Sequence, residues 1–240
     1  MRFSGKRVVV TGGSSGIGFA VAKAVIEFGG RVIIAARNEE KLKRAARKLG
    51  ENAISYSLDV TQECEVKAFF GSLEKFDHLV TCAAGMAIGP FLEMDVAPVR
   101  EYFETKFWGQ FYAAKHGAKK LNAGGSVILF AGVASRKGSP GLTASAAING
   151  AVEGLAKTLA VELMSLRIRV NVLSPGLIDT EAFDPMPAEQ KQGLFQSVAE
   201  KLPVQRVGKP EDVAKAVMYL MENEYVTGST AVVDGGYCAT

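Results

Sequence analysis

The sequence predicts an α/β fold: one domain, 1–240, on a doubly wound parallel sheet of about seven strands with helices on both faces. Short β-branched runs alternate with longer helical patterns along all 240 residues, which implies right-handed crossovers between parallel neighbours. Runs such as Val32-Ile-Ile-Ala-Ala36 and Ser126-Val-Ile-Leu-Phe130 are almost continuously apolar, as strands covered on both faces are. A glycine-rich turn joins the first run to the first helix. A chain of this length buries a full core in one domain, and no repeat, low-complexity tract or linker divides it.

Strands are expected at 7–11, 31–35, 53–57, 77–82, 125–131, 168–173 and 229–233, and helices at 16–28, 38–49, 62–75, 97–121, 141–165 and 209–222. In the first strand Val8, Val9 and Val10 lead to Thr11, and glycines follow at 12, 13, 16 and 18. Ile17, Val21, Val25 and Phe28 then share one helical face. Glycine lets the backbone approach a ligand with no Cβ in the way, and the free N–H groups opening the helix face an anion. Strand, glycine turn and helix together favour a Rossmann-type dinucleotide site over a plain tight turn. Gly12, Ser14, Ser15, Gly16, Ile17 and Gly18 would line it.

Gly29-Gly30 closes the first helix. The second strand ends at Ala35-Ala36, followed by Arg37 and Asn38. An acidic residue there would hold the ribose 2′-hydroxyl of NAD, whereas an arginine suits the 2′-phosphate of NADP. NADP(H) is therefore expected over NAD(H), with a solvated arginine heading a charged helix as the alternative. After the third strand comes Asp59-Val60, where the aspartate either accepts from an adenine amine or caps the helix at 62. The stretch 175–208 is irregular, rich in proline, with a short helical pattern near 188–201. It is long enough for a substrate loop or lid. Ligands of such sheets sit beyond the C-terminal ends of the strands.

Composition excludes several classes. Hydrophobic residues make up 48% and charged residues 22%, and the net charge of +3 is too mild to imply nucleic acid. No apolar run reaches the ~18 residues of a membrane span, and no signal-peptide core precedes the first strand. A cytoplasmic protein with neither nucleic-acid nor membrane partners is expected. Cys64, Cys82 and Cys238 are odd in number and far apart, which argues against a disulfide framework or zinc site. His78 and His116 are the only histidines, so no metal site and no serine-hydrolase triad is expected.

With these motifs in order, the chain resembles the short-chain dehydrogenase/reductase family over essentially its full length. Thr11-Gly-x-x-x-Gly16-Ile-Gly18 matches that family's cofactor motif, and Asp59-Val60 sits where its adenine-contacting pair does. Asn171-Val-Leu-Ser-Pro175-Gly176-Leu-Ile178-Asp-Thr180 matches its motif after the sixth strand. The resemblance implies that Pro175, Gly176, Ile178 and Thr180 close over the nicotinamide half. Gly208-Lys-Pro210-Glu-Asp-Val-Ala and Thr227-Gly228…Val233-Asp234-Gly235-Gly236 match its C-terminal part. After strand four the family usually carries Asn-Asn-Ala-Gly. This chain has Cys82-Ala83-Ala84-Gly85, of which Ala83, Ala84 and Gly85 would still border the cofactor.

The family's chemistry is not carried over so directly. Its tyrosine and lysine, four apart on the helix after strand five, align with Ser145 and Asn149. Its serine, thirteen residues before the tyrosine, falls at Gly132, and its asparagine on the preceding helix falls at Lys106. Lysine and asparagine have thus exchanged places. Asn149 can still hydrogen-bond the nicotinamide ribose. A desolvated Lys106 would have a lowered pKa and donate a proton, against the alternative of a snorkelling surface lysine. Ser145 is a shorter substitute that needs a bridging water or a base, unless it is merely a small residue between helices. Ser135, Ser139 and Thr143 are loop hydroxyls that could replace the lost serine, and Cys82 reads as a buried small side chain. The Tyr102-x-x-x-Lys106 spacing lies on the helix before strand five, one turn from the cofactor-facing position, and reads as coincidence.

Two functions compete. One is an NADP(H)-dependent oxidoreductase acting on a small carbonyl or alcohol with Lys106, Ser145 and Asn149 as an atypical acid/base set. The other is a non-catalytic NADP(H)-binding redox sensor or scaffold. The resemblance also implies a homodimer or homotetramer through the helices at 97–121 and 141–165. The small-molecule substrate is not specified by any motif.

Overall fold

The computed structural model describes residues 2–83, 85 and 87–240. Seven parallel strands form one sheet: β1 Arg7–Thr11, β2 Arg31–Ala36, β3 Ala53–Ser57, β4 Phe76–Thr81, β5 Leu121–Phe130, β6 Arg169–Pro175 and β7 Thr230–Val233. Their order is β3-β2-β1-β4-β5-β6-β7. The direction of winding reverses between β1 and β4, and a crevice opens there at the strands' C-terminal ends.

The helices are α1 Gly16–Glu27, α2 Glu39–Leu49, α3 Glu63–Ser72, α4 Val96–Phe103, α5 Gly109–Gly117, α6 Thr143–Glu162, α7 Ala188–Ala199 and α8 Pro210–Glu222. Side chains alternate across each strand, so Val8 and Val10 enter one core layer and Val9 the other. The first layer is covered by α1, α2 and α8, the second by α3, α5 and α6. All three valines are fully buried, each worth ~1.5–3 kcal/mol in transfer free energy. A third, smaller cluster joins α4 to α6 through Tyr102, Ala144 and Ile148.

The largest departure from the sequence expectation is the helix at 97–121. It is not continuous. Glu104–Trp108 form a π-helical turn between α4 and α5, closed by Gly109 N donating to Glu104 O. The helical segment then ends in a 3₁₀ turn at 118–120, and β5 begins at Leu121, four residues before the expected 125. The irregular stretch contains α7 and a 3₁₀ turn, Glu181–Phe183. No helix among the described residues is long and apolar enough to cross a membrane.

Candidate active site

The glycine turn is shaped by close approach. Gly12 has φ +73°, and a Cβ there would stand 2.5 Å from Ala83 N. A Cβ on Gly18 would collide with Gly12 O. The turn thus brings β1, α1 and the chain after β4 closer than any side chain permits. Ser15 is the N-cap of α1 and its side chain makes no capping bond, so the first N–H groups point outward. One of them is taken by the protein itself: Gly16 N donates to Glu181 Oε2 at 2.8 Å. An anion therefore already sits at this helix N-terminus, supplied by the loop after β6.

A groove of about 460 Å³ runs along this turn. Gly12, Ser14, Ser15, Gly16, Ile17, Gly18, Ala36, Arg37, Asn38, Val60, Ala83 and Thr180 line it together, as do Cys82 and Thr105. Asn38 Oδ1 is engaged, accepting from Lys41 N at 2.9 Å and capping α2. Asp59 does not cap α3, whose N-cap is Gln62; its Oδ1 accepts from Thr61 N and Oγ1 at 3.0 and 2.8 Å in a tight turn. Pro175, Gly176 and Ile178 lie off the groove and anchor the loop that carries Thr180. Gly176 N donates to Val233 O at 2.9 Å, and buried Ile178 bridges to Gly208. Gly85 borders a neighbouring depression with Tyr102 and Thr105. Ala84 lies outside the described residues.

A second cavity of about 530 Å³ adjoins the groove. Ser14 and Ser15 line it together with Lys41, Arg44 and Lys48. These three basic side chains all belong to α2. Their i, i+3, i+7 spacing places them on one side, beside the buried stripe of Leu42, Ala45 and Leu49, and that side flanks the glycine turn.

The chemistry-bearing side chains come from α6 and the π turn, which pack on each other. Lys106 is 6% exposed. Desolvation pushes its pKa down to about 8, partly opposed by Cys82, and no carboxylate reaches its ammonium among the described residues. The surface reading of this lysine does not hold. Cys82 is pushed up to about 12 by burial, so it is a protonated wall of the groove rather than a nucleophile. Gln110, missed in the sequence, fixes the turn. Its Nε2 donates to Lys106 O and Phe130 O at 2.6 and 2.9 Å, while its Oε1 accepts from Thr81 Oγ1 and Phe130 N at 2.6 and 2.7 Å.

On α6 Ser145 and Asn149 are both buried. Ser145 Oγ donates to Ala87 O at 3.2 Å. Asn149 Nδ2 lies 3.0 Å from where a Cβ on Gly132 would stand, and its Oδ1 has no hydrogen-bond partner among the described residues. Two of the three loop hydroxyls are held elsewhere. Ser135 is held by Glu153 and Gly132 O at 2.8 and 3.0 Å, and Ser139 pairs with the Tyr237 hydroxyl. No group of three or more metal-ligating side chains occurs among the described residues.

Comparison with known proteins agrees with this architecture. The family model described as Enoyl-(Acyl carrier protein) reductase matches residues 12–238. The chain belongs to the short-chain dehydrogenase/reductase family. It is 33% identical over 235 residues to carbonyl reductase family member 4 of Danio rerio, covering 95% of this chain and 96% of that one. It is 32% identical over 237 residues to the 3-oxoacyl-[acyl-carrier-protein] reductase of Homo sapiens, covering 96% and 97%. Among solved structures, a small-chain dehydrogenase in complex with NADPH aligns with a TM-score of 0.86 at 37% identity, covering 98% of this chain and 99% of that one. These relatives are oxidoreductases, and their names favour an enzyme over a scaffold.

Proposed function

We propose that the protein is an NADP(H)-dependent oxidoreductase that interconverts a small carbonyl compound and its alcohol, using an acid/base set different from the one its family usually carries. The observation that carries this reading is Lys106. It is a buried ammonium beside the groove whose pKa, pushed down to about 8, lies where a proton is exchanged near neutrality.

The residues present fit the cofactor. The N–H groups opening α1 suit a pyrophosphate once Glu181 swings away. Arg37, with Lys41 and Arg44 behind it, suits a ribose 2′-phosphate. The unpartnered Asn149 Oδ1 accepts from a ribose hydroxyl. When bound, the nicotinamide supplies or takes up the hydride. Ser145 orients the substrate oxygen, and Lys106 stores the proton that accompanies reduction. Half-buried Trp108, Phe111 and Tyr112 on the π turn and α5, and exposed Val161 and Met164 at the end of α6, suit a homodimer or homotetramer.

The test loads the protein with NADPH deuterated on the nicotinamide and offers a 3-oxoacyl thioester, a small ketone and a quinone. Deuterium appearing on a product carbon supports the reading. Label remaining on a saturated, bound cofactor with every probe and with a metabolite extract would favour the sensor or scaffold instead. Arg37→Ala should weaken NADPH about tenfold, by loss of a charge-assisted bond, with NADH unaffected. Equal losses for both nucleotides would remove Arg37 from phosphate recognition.

A further inference from the structure

Between buried Ile178 and buried Leu202 the chain runs from 179 to 201 without burying a residue. α7 lies in this stretch and is the one helix of the eight with no buried side chain. Its ties are local. Lys191 Nζ pairs with Asp179 Oδ1 at 3.0 Å and with Asp184 Oδ1 at 3.4 Å, and the Phe195 ring meets that of Phe183 edge-on at 5.3 Å. Segment 179–199 is therefore one unit knotted at Lys191, and it rests on the glycine turn. Glu181 Oε2 accepts from Gly16 N at 2.8 Å, and Thr180 Cγ2 stands 3.3 Å from where a Cβ on Gly16 would be. The two surfaces also match in charge. Glu181 and Asp184 line the cavity of about 530 Å³ from the segment's side, and Lys41, Arg44 and Lys48 line it from α2. None of these three cations makes an ion pair among the described residues; the bridge within α2 joins Lys43 to Glu39 instead.

We propose that segment 179–199 is a self-inhibiting lid whose carboxylates imitate the phosphates of a dinucleotide. Glu181 holds the anion position at the start of α1, Asp184 faces the cations that suit a 2′-phosphate, and the entering cofactor expels the segment from the groove. The inference rests on the dinucleotide reading of the groove and on no particular reaction. A carboxylate and a phosphate oxygen compete for the same N–H groups, since both are anions drawn to the positive end of the helix. The Glu181 contact is exposed, where a single charged pair is weakly held and readily exchanged. A pyrophosphate brings more charge and more acceptor oxygens to the same N–H groups, so it displaces the single carboxylate. While the segment is seated, only the fraction of molecules with an open groove binds, and apparent affinity falls by that fraction. Lys191 grips Asp179 and Asp184 on either side of Glu181, so displacing Glu181 carries α7 with it. No residue of α7 lines the groove or the cavity. An event at the phosphates thus moves a helix that touches none of them.

The experiment follows amide hydrogen exchange over 179–199 by mass spectrometry, with and without saturating NADPH, in the wild type, Glu181→Ala and Lys191→Met. NADPH and NADH affinities are measured in parallel. A segment with no buried side chain has little protection of its own, so NADPH should speed exchange over 179–199 at least about threefold in the wild type. Glu181→Ala should show the fast pattern with no nucleotide added. In Lys191→Met, 179–184 should still respond to NADPH while 188–199 no longer does. Glu181→Ala combined with Asp184→Asn should tighten NADPH at least about tenfold and NADH by less, because NADH lacks the phosphate that Asp184 imitates. Exchange over 179–199 that slows with NADPH, or affinities that the paired substitution leaves unchanged, overturns the lid. A wild type that releases the segment with NADPH yet reduces none of the probes strikes the oxidoreductase reading and leaves the lid standing. Failure of wild type and variants alike to bind either nucleotide strikes the dinucleotide reading and the lid together.

Discussion

Lys106 is a charge held where water is scarce, and both its chemistry and its cost follow from that. Its pKa of about 8, against an ordinary lysine near 10.5, means that the fold resists the ammonium. Reduction consumes a proton, so its rate should be flat below pH 8 and fall above it as the ammonium empties. Lys106→Met should abolish that limb and lower turnover more than about tenfold; an alkaline limb that persists in the variant would falsify the role. The same shift makes a stability prediction of opposite sign. A depressed folded pKa penalises the native state fully below 8 and not at all above the unfolded value. Lys106→Met should therefore be more stable than wild type at pH 7, by at most about 3 kcal/mol, and the gain should vanish towards pH 10.5. Denaturant midpoints at the two pH values check it. The position of Lys106 is legible in the sequence as an exchange with Asn149. Its burial is not, because the same i, i+4 pattern on an amphipathic helix serves a snorkelling side chain equally well.

The turn at 104–108 shows where periodicity stops informing. Phe103, Phe107 and Phe111 recur every four residues, a spacing that α and π geometry both satisfy, so one continuous helix is the natural reading. What widens the turn is tertiary. Gln110 reaches back to Lys106 O and across to β4 and β5, and four hydrogen bonds to one buried amide select the local geometry. Such π turns gather at functional sites. Gln110→Leu keeps the volume and strands Phe130 N, while Thr81 Oγ1 retains Ile128 O, so it should cost about 1–3 kcal/mol and reduce turnover while leaving nucleotide affinity intact. Unchanged thermal stability would show that the amide is not the anchor. The glycine turn is the opposite case. Its glycines, its strand and its helix are all visible in residues 7–18, since close backbone approach can be met only by leaving side chains out. The Glu181 carboxylate on Gly16 N was not visible, because a loop 165 residues away supplies it. Glu181→Gln removes a competing anion from the start of α1 and should tighten dinucleotide binding about fivefold; weaker binding would instead make Glu181 part of the cofactor's own support.

At the scale of the molecule, the sheet separates two apolar layers, and the polar groups admitted between them must be neutral or paired. His78 on β4 is the clearest test. It stands opposite Ser126 of β5 in the strand register, with Nδ1 and the serine Oγ 2.9 Å apart, and its ring lies 5.8 Å from that of Phe3. Burial drives its pKa down to about 4, with the nearby Asp77 opposing. A lowered folded pKa means that both states are neutral above the ordinary value of 6.5, where the histidine costs nothing. Between 6.5 and 4 the unfolded chain takes a proton that the folded chain refuses, so stability falls as pH falls through this window. From pH 7 to pH 5 the loss should be about 2 kcal/mol, ahead of the range in which carboxylates protonate. It should appear as a lower denaturant midpoint with an unchanged slope. His78→Gln retains a partner for Ser126 and cannot ionise, so its midpoint should be nearly level over the same interval. Parallel losses in the two proteins would place the acid sensitivity elsewhere. Level behaviour in the variant would show that one strand position couples the central sheet to mildly acidic pH, far from the groove and independently of any ligand.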